Sequence, residues 1–98
     1  MVEVRQTSEF STWLRRLKDD NAAARIVARI RRMERGNVGD SRSVGAGVME
    51  MRIDYGPGYR VYYVRRGEAL VILLCAGDKR TQVRDIRRAQ ELARDVTE

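Results

Sequence analysis

The unbroken apolar run over residues 70–76, Leu-Val-Ile-Leu-Leu-Cys-Ala, limits the possible folds more than any other feature of this chain. It has the length of one β-strand, and in a strand successive side chains point to opposite faces. No position in it suits water, so both faces must be covered, which describes a central strand anchoring the core. A chain of 98 residues has room for one such core, so residues 1–98 are expected to form a single domain.

The surrounding segments supply the cover. Residues 2–5 read as a short edge strand, followed by Thr7 or Ser8 as the N-cap of a helix running to about Lys18. Phe10, Trp13, Leu14 and Leu17 fall in one stripe of that helix. Asp20 or Asn21 can cap a second helix, with Ile26, Val27, Ile30 and Met33 inside and Arg25, Arg29, Arg32 and Arg35 outside, ending near Gly36. Two one-sided helices separated by a short turn predict a hairpin laid on a sheet.

Residues 37–47, rich in Gly and Ser, read as a loop with a short strand around Arg42 and Val44. Residues 48–54 alternate, with Met49, Met51 and Ile53 inward and Glu50, Arg52 and Asp54 on a face expected to be solvated. Tyr55-Gly-Pro-Gly58 is a turn, and residues 59–66 pair back as a hairpin. After the Gly77 corner, Asp78 or Thr81 can cap a last helix carrying Val83, Ile86, Ala89 and Ala93. The expected class is α+β: a two-helix hairpin on a mainly antiparallel twisted sheet, plus a C-terminal helix.

The charge points to a polyanion. Net charge is +6, and eighteen of the twenty basic residues are arginine, all but Lys18 and Lys79. A guanidinium fork suits phosphate better than an ammonium does, although a genome rich in Arg codons yields the same bias. Cys75 is the only cysteine and lies in the apolar run, where it reads as a small buried hydrophobe. There is no histidine, which argues against structural zinc, and no cofactor is expected. With no secretory signal and no apolar stretch of membrane-spanning length, a cytoplasmic protein without a membrane partner is expected.

Strand alternation puts Arg60 and Tyr62 on the outward face and Val61 and Tyr63 in the core. A symmetric hairpin brings Arg52 opposite Arg60, and Lys79 follows at the start of the last helix, where backbone N–H groups favour an anion. Arg52, Arg60 and Lys79 can then converge on one phosphate, as cleavage of RNA by its own 2'-OH requires, because negative oxygens need stabilising in that transition state. The plainer reading pairs Arg52 with Glu50 or Asp54 and leaves Lys79 as a surface charge. Tyr59 and Tyr62 are candidate base-stacking residues, with packing as the alternative. Arg29, Arg32 and Arg80 are candidate backbone contacts, with a solvated basic face as the alternative.

The segments from Met49 through Tyr55-Gly-Pro-Gly-Tyr-Arg60 to Tyr63, and from Val71 to Ala76-Gly-Asp-Lys79, resemble the HigB-like addiction-module killer branch of the RelE/ParE toxins. The Phe10-x-x-Trp13-Leu14 helix and the Arg84-Asp85-Ile86 segment extend the resemblance to nearly the whole chain. It implies a microbial-ribonuclease-like domain that enters the ribosomal A site and cleaves mRNA. It also implies a cognate antitoxin encoded in the same operon, with operator DNA reached only through that antitoxin. In the resemblance Arg60 is the phosphate and transition-state residue, Arg52 matches a basic residue on the neighbouring strand, and Lys79 a basic residue after the corner.

Two departures concern the base: Glu50 stands where relatives carry a second basic residue, and Arg84-Asp85 where they carry a tyrosine. Proton abstraction then falls to Glu50, Asp54, Asp85, a tyrosinate or a perturbed basic group, none ordinarily titrating near neutrality. The alternatives are a ParE-like inhibitor of DNA gyrase that breaks no bond, and an inactive co-repressor that only binds antitoxin.

Overall fold

The apolar run does form a strand covered on both faces. In the computed structural model, which describes residues 1–96, the order is β1 (Glu3–Gln6), α1 (Ser8–Arg16), α2 (Asp20–Glu34), β2 (Ser41–Ser43), β3 (Val48–Ile53), β4 (Tyr59–Arg66), β5 (Leu70–Asp78), a 3-10 turn (Lys79–Thr81) and α3 (Gln82–Asp95). Residues 97 and 98, the end of the expected domain span, lie outside the described residues.

The five strands form one mixed sheet in the order β1-β5-β4-β3-β2. Only β1 is parallel to its neighbour. The fold is a small α+β domain, and β4, not β5, is its middle strand. Between β4 and β5 the register slips: Tyr62 faces Cys75 and Tyr63 faces Leu73, leaving Leu74 as the extra residue of a bulge.

Two cores result. Phe10 of α1 and Ala22, Ile26, Ile30 and Met33 of α2 pack on Met51, Ile53, Val61, Tyr63, Val71 and Leu73. On the other face, Ala89 and Ala93 of α3 pack on Val48, Tyr62, Val64, Ile72 and Leu74. Burying each of the Val, Leu, Ile, Phe and Met side chains among these contributes roughly 1.5–3 kcal/mol, and the alanines less, so each helical layer is held mainly by its apolar contact with the sheet.

The helix ends follow their caps. Thr7 accepts from the Phe10 N–H at 3.1 Å. Asp19, rather than Asp20 or Asn21, caps α2, because Leu17 and Asp19 are already extended and α1 has stopped at Arg16. Asp78 caps the 3-10 turn by accepting from the Arg80 N–H at 2.8 Å. The expected stripe of α3 needs correction at Val83, which is 70% exposed. Gln82 and Asp85 hold the inward positions of that first turn, and inward polar residues read as solvent-facing in a periodicity argument.

Candidate functional site

The α3-side face of the β3–β4 hairpin changes chemistry tier by tier. Directly opposed pairs are Val48 with Val64, then Glu50 with Tyr62, then Arg52 with Arg60. α3 covers the apolar tier, and its Gln82 reaches the polar one. The arginine tier is left at the open end, beside the turn. Like charges directly opposite one another destabilise a sheet, so this tier is costly unless an anion answers it.

The turn builds the rest of the site. Gly58 donates to the Tyr55 carbonyl at 3.1 Å. Gly56 and Gly58 have φ of 57° and 84°, which glycine tolerates and which brings the strands round tightly. A side chain on Gly58 would touch the Lys79 stem, so the turn lies against Lys79. The resulting cleft, about 430 Å³, is lined by Arg52, Arg60 and Lys79 with Asp40, Asp54 and the Gly-Pro-Gly segment.

Charges in the cleft are unequally engaged. Arg52 Nη2 pairs with Asp40 Oδ1 at 2.8 Å. The Arg52 hydrogen bond holds the Asp40 carboxyl below its ordinary range, against an opposing effect of burial. Behind β3, Arg29 Nη1 donates to the Arg52 carbonyl at 2.7 Å. Arg60 has no ion pair or side-chain hydrogen bond among the described residues, and its Nε is buried without an acceptor. Lys79 likewise has no ion-pair partner among them. Arg60 and Lys79 are therefore the cations of the cleft free to meet an incoming anion.

Several sequence expectations are corrected. Glu50 is fully buried rather than solvated. It accepts from Arg42 Nε at 2.9 Å, Tyr62 Oη at 2.9 Å and Gln82 Nε2 at 2.8 Å. Burial alone would raise its pKa, but these three donors outweigh burial and hold it below the ordinary carboxylate range. It is a satisfied anion, poorly placed as a general base. Tyr62 is also fully buried, so it is no stacking platform. Burial and the Glu50 carboxylate both push its hydroxyl pKa upward, which disfavours a tyrosinate.

Tyr59 is buried too, with its ring edge-on to Trp13 at 6.0 Å between centroids, so the stacking expectation fails there as well. The physical reason is common to both tyrosines: α1 and α2 cover one face of β4 and α3 covers the other.

The remaining candidates do not line the cleft. Arg29 turns inward to the sheet instead of outward, Arg80 pairs with Asp78 at 2.9 Å, and Arg32 is exposed on α2. Asp85 is nearly buried, accepting from the Thr81 hydroxyl with Arg84 at 3.6 Å. Cys75 is a buried thiol whose pKa burial pushes up to about 12, in keeping with an inert hydrophobe. Asp54 alone of the three carboxyl candidates faces the cleft. Sequence reasoning missed Asp40, Arg42 and Gln82. Each acts across a loop or element boundary, and only the lone acid within an apolar-flanked strand, Glu50, hinted that a partner was needed.

Fold and site together define a class: a small basic α+β protein with a cationic cleft at the uncovered end of one sheet face. The chain belongs to the Gp49-like family, described as "Phage derived protein Gp49-like (DUF891)", which matches residues 12–95. An uncharacterized protein of Haemophilus influenzae is 48% identical over 95 residues, covering 97% of this chain and 96% of that protein. The matched region contains all three cleft cations. Among the described residues no helix is long and apolar enough to cross a membrane.

Proposed function

We propose that this chain is the toxin of a toxin–antitoxin module and acts as a HigB-like, RelE-fold endoribonuclease on translated mRNA. The Gp49-like family is associated with toxin–antitoxin modules, which supports the first half. The observation that carries the second is Arg60: a guanidinium with a buried, unanswered Nε, opposite a second arginine and beside an unpaired lysine. Buried donors without acceptors are rare, and a phosphate oxygen is the acceptor such a cluster suits.

In the proposed reaction the 2'-OH attacks the adjacent phosphorus and the bond to the 5'-oxygen breaks, the leaving 5'-oxygen taking a proton from water, to give a cyclic phosphate and a 5'-OH. Arg60 and Lys79 stabilise the charge on the phosphorane oxygens, and Arg52 positions the phosphate after exchanging Asp40 for it. Of the three candidate carboxylates Asp54 is the one that lines the cleft and can accept the 2'-OH proton, given that Glu50 and Asp85 are committed elsewhere. Stabilisation by preorganised cations therefore carries more of the rate than base catalysis does. A cognate antitoxin and the ribosome are the partners this reading requires.

The test is to induce the chain alone and map new mRNA 5' ends in translated and untranslated messages, measuring supercoiling in parallel. Codon-phased cuts confined to translated messages are expected. Arg60→Ala should lower cleavage roughly 10²–10³-fold, as loss of a transition-state donor does, with an unchanged thermal melt. Growth arrest with altered supercoiling and no cuts would replace this reading with gyrase inhibition. Absence of any arrest would leave an antitoxin-binding co-repressor.

A further inference from the structure

A second concavity, about 980 Å³, shares Lys79 with the cleft and is lined by residues of α1, the end of β5 and α3. It exists because β1 stops short. β1 pairs with β5 only from Leu70 to Leu73, whereas β4 stays paired with β5 as far as Asp78. At Thr7 the chain leaves the sheet: its N–H donates to the Leu73 carbonyl at 3.0 Å and its hydroxyl to the Leu74 carbonyl at 2.6 Å. Among the described residues no strand lies on this edge of β5 beyond that point. Leu73 and Leu74 both turn their carbonyls to the β1 side because the bulge adds a residue there, and the alternation that resumes after it, with Cys75 facing Tyr62 of β4, directs the backbone groups of Ala76 to the β1 side, into the concavity.

The side chains around this open edge suit an extended peptide. Cys75 and Ala76 form an apolar floor, Trp13 of α1 forms one wall, and Val83 of α3 stands at the lip. At 70% exposure, Val83 is a large apolar side chain with nothing packed over it. The rim charges that find no ion-pair partner among the described residues are both positive, Lys79 and Arg87. By contrast Arg88 is held by Glu9 at 2.8 Å and Arg80 by Asp78. A helix satisfies its own backbone and would leave Ala76 unanswered. A nucleic-acid strand has a sugar–phosphate backbone with no N–H donor, so it would leave the Ala76 carbonyl unanswered.

We propose that this slot binds an extended acidic segment of a partner protein, which adds to the sheet alongside β5 where β1 ends. Main-chain hydrogen bonds at Ala76 supply affinity, as in other strand additions, and alternate side chains supply specificity. Apolar residues of the segment meet Trp13 and Val83, and acidic ones meet Lys79 and Arg87. The toxin–antitoxin reading bears only on which protein supplies the segment, and the pairing itself is independent of RNA cleavage.

Trp13 is the only tryptophan in the chain, so its fluorescence reports on the slot directly. The probe is a capped peptide of alternating valine and aspartate, compared with its valine–lysine counterpart. The acidic peptide should change Trp13 emission saturably and slow hydrogen exchange at the Ala76 amide, while the lysine peptide does neither. Val83→Asp combined with Arg87→Glu, both at the surface, should weaken binding by about tenfold or more. Arg60→Ala should leave peptide binding intact, which separates this slot from the cleft. The proposal is overturned by an absent Trp13 response, an equal response to the lysine peptide, an unprotected Ala76 amide, or displacement of the peptide by a single-stranded oligonucleotide.

Discussion

Gly77 illustrates how one residue can be chosen for the space it leaves. It lies opposite Arg60 on the α3-side face, and a Cβ there would come within 2.7 Å of Thr81 Oγ1 and collide with the Asp85 carboxylate. The backbone is ordinary at this position, so the constraint is steric. Gly77→Ala should therefore destabilise the protein by roughly 1–3 kcal/mol, the usual cost of overpacking a filled site. The urea-unfolding midpoint measures this. Adding Asp85→Ala should recover part of the loss, because the two positions share one volume and their effects are not additive. A full additive loss in the double variant would show that the corner fails for another reason.

Among the elements, α2 depends most visibly on a single cap. Asp19 accepts from the N–H groups of Asn21 and Ala22 at 3.0 and 3.1 Å. Neither the expected Asp20 nor Asn21 does this. Asp19→Ala should cost about 1 kcal/mol by thermal or urea melting, as loss of an N-cap carboxylate typically does. Asp20→Ala should cost far less, and equal costs would refute this assignment of the cap. α3 makes a different point about elements. Its first turn is polar and faces inward, so the helix is located by Gln82 and Asp85 as well as by its alanines.

Across the whole molecule, Glu50 ties four elements together, since its own strand β3 receives donors from β2, β4 and α3. Its folded-state pKa lies below the unfolded value, so its contribution is fully present above the unfolded pKa. That contribution is lost as pH falls through the folded one. Glu50→Gln should lose about 2 kcal/mol at pH 7, because hydrogen bonds to a charged acceptor are the strong ones. The gap between variant and parent should begin to narrow as pH falls below the unfolded carboxyl's value of about 4.3 and close as it passes the lower folded one, where the parent carboxyl also protonates. Denaturant titrations across this range test it, and a gap independent of pH would mean the loss is packing alone.

Much of this was legible from residue order, because it rests on local periodicity. The apolar run, the Gly-Pro-Gly turn, the helical stripes and the 52–60 register follow from strand and helix periods that neighbours in sequence enforce. So does the placing of Arg52, Arg60 and Lys79 around one site. Which face of the hairpin is wet does not follow, because it depends on where α3 returns after the β5 strand. That docking buried Tyr62 and Glu50, and α1 and α2 buried Tyr59. The pairing of β2 on β3 recruited Asp40 and Arg42 from a loop and a three-residue strand with no periodic signal. Sequence alone determined the elements and the three cations that line the cleft. Tertiary packing decided which polar groups those cations and Glu50 would meet, because such partners come together only when distant segments close the sheet.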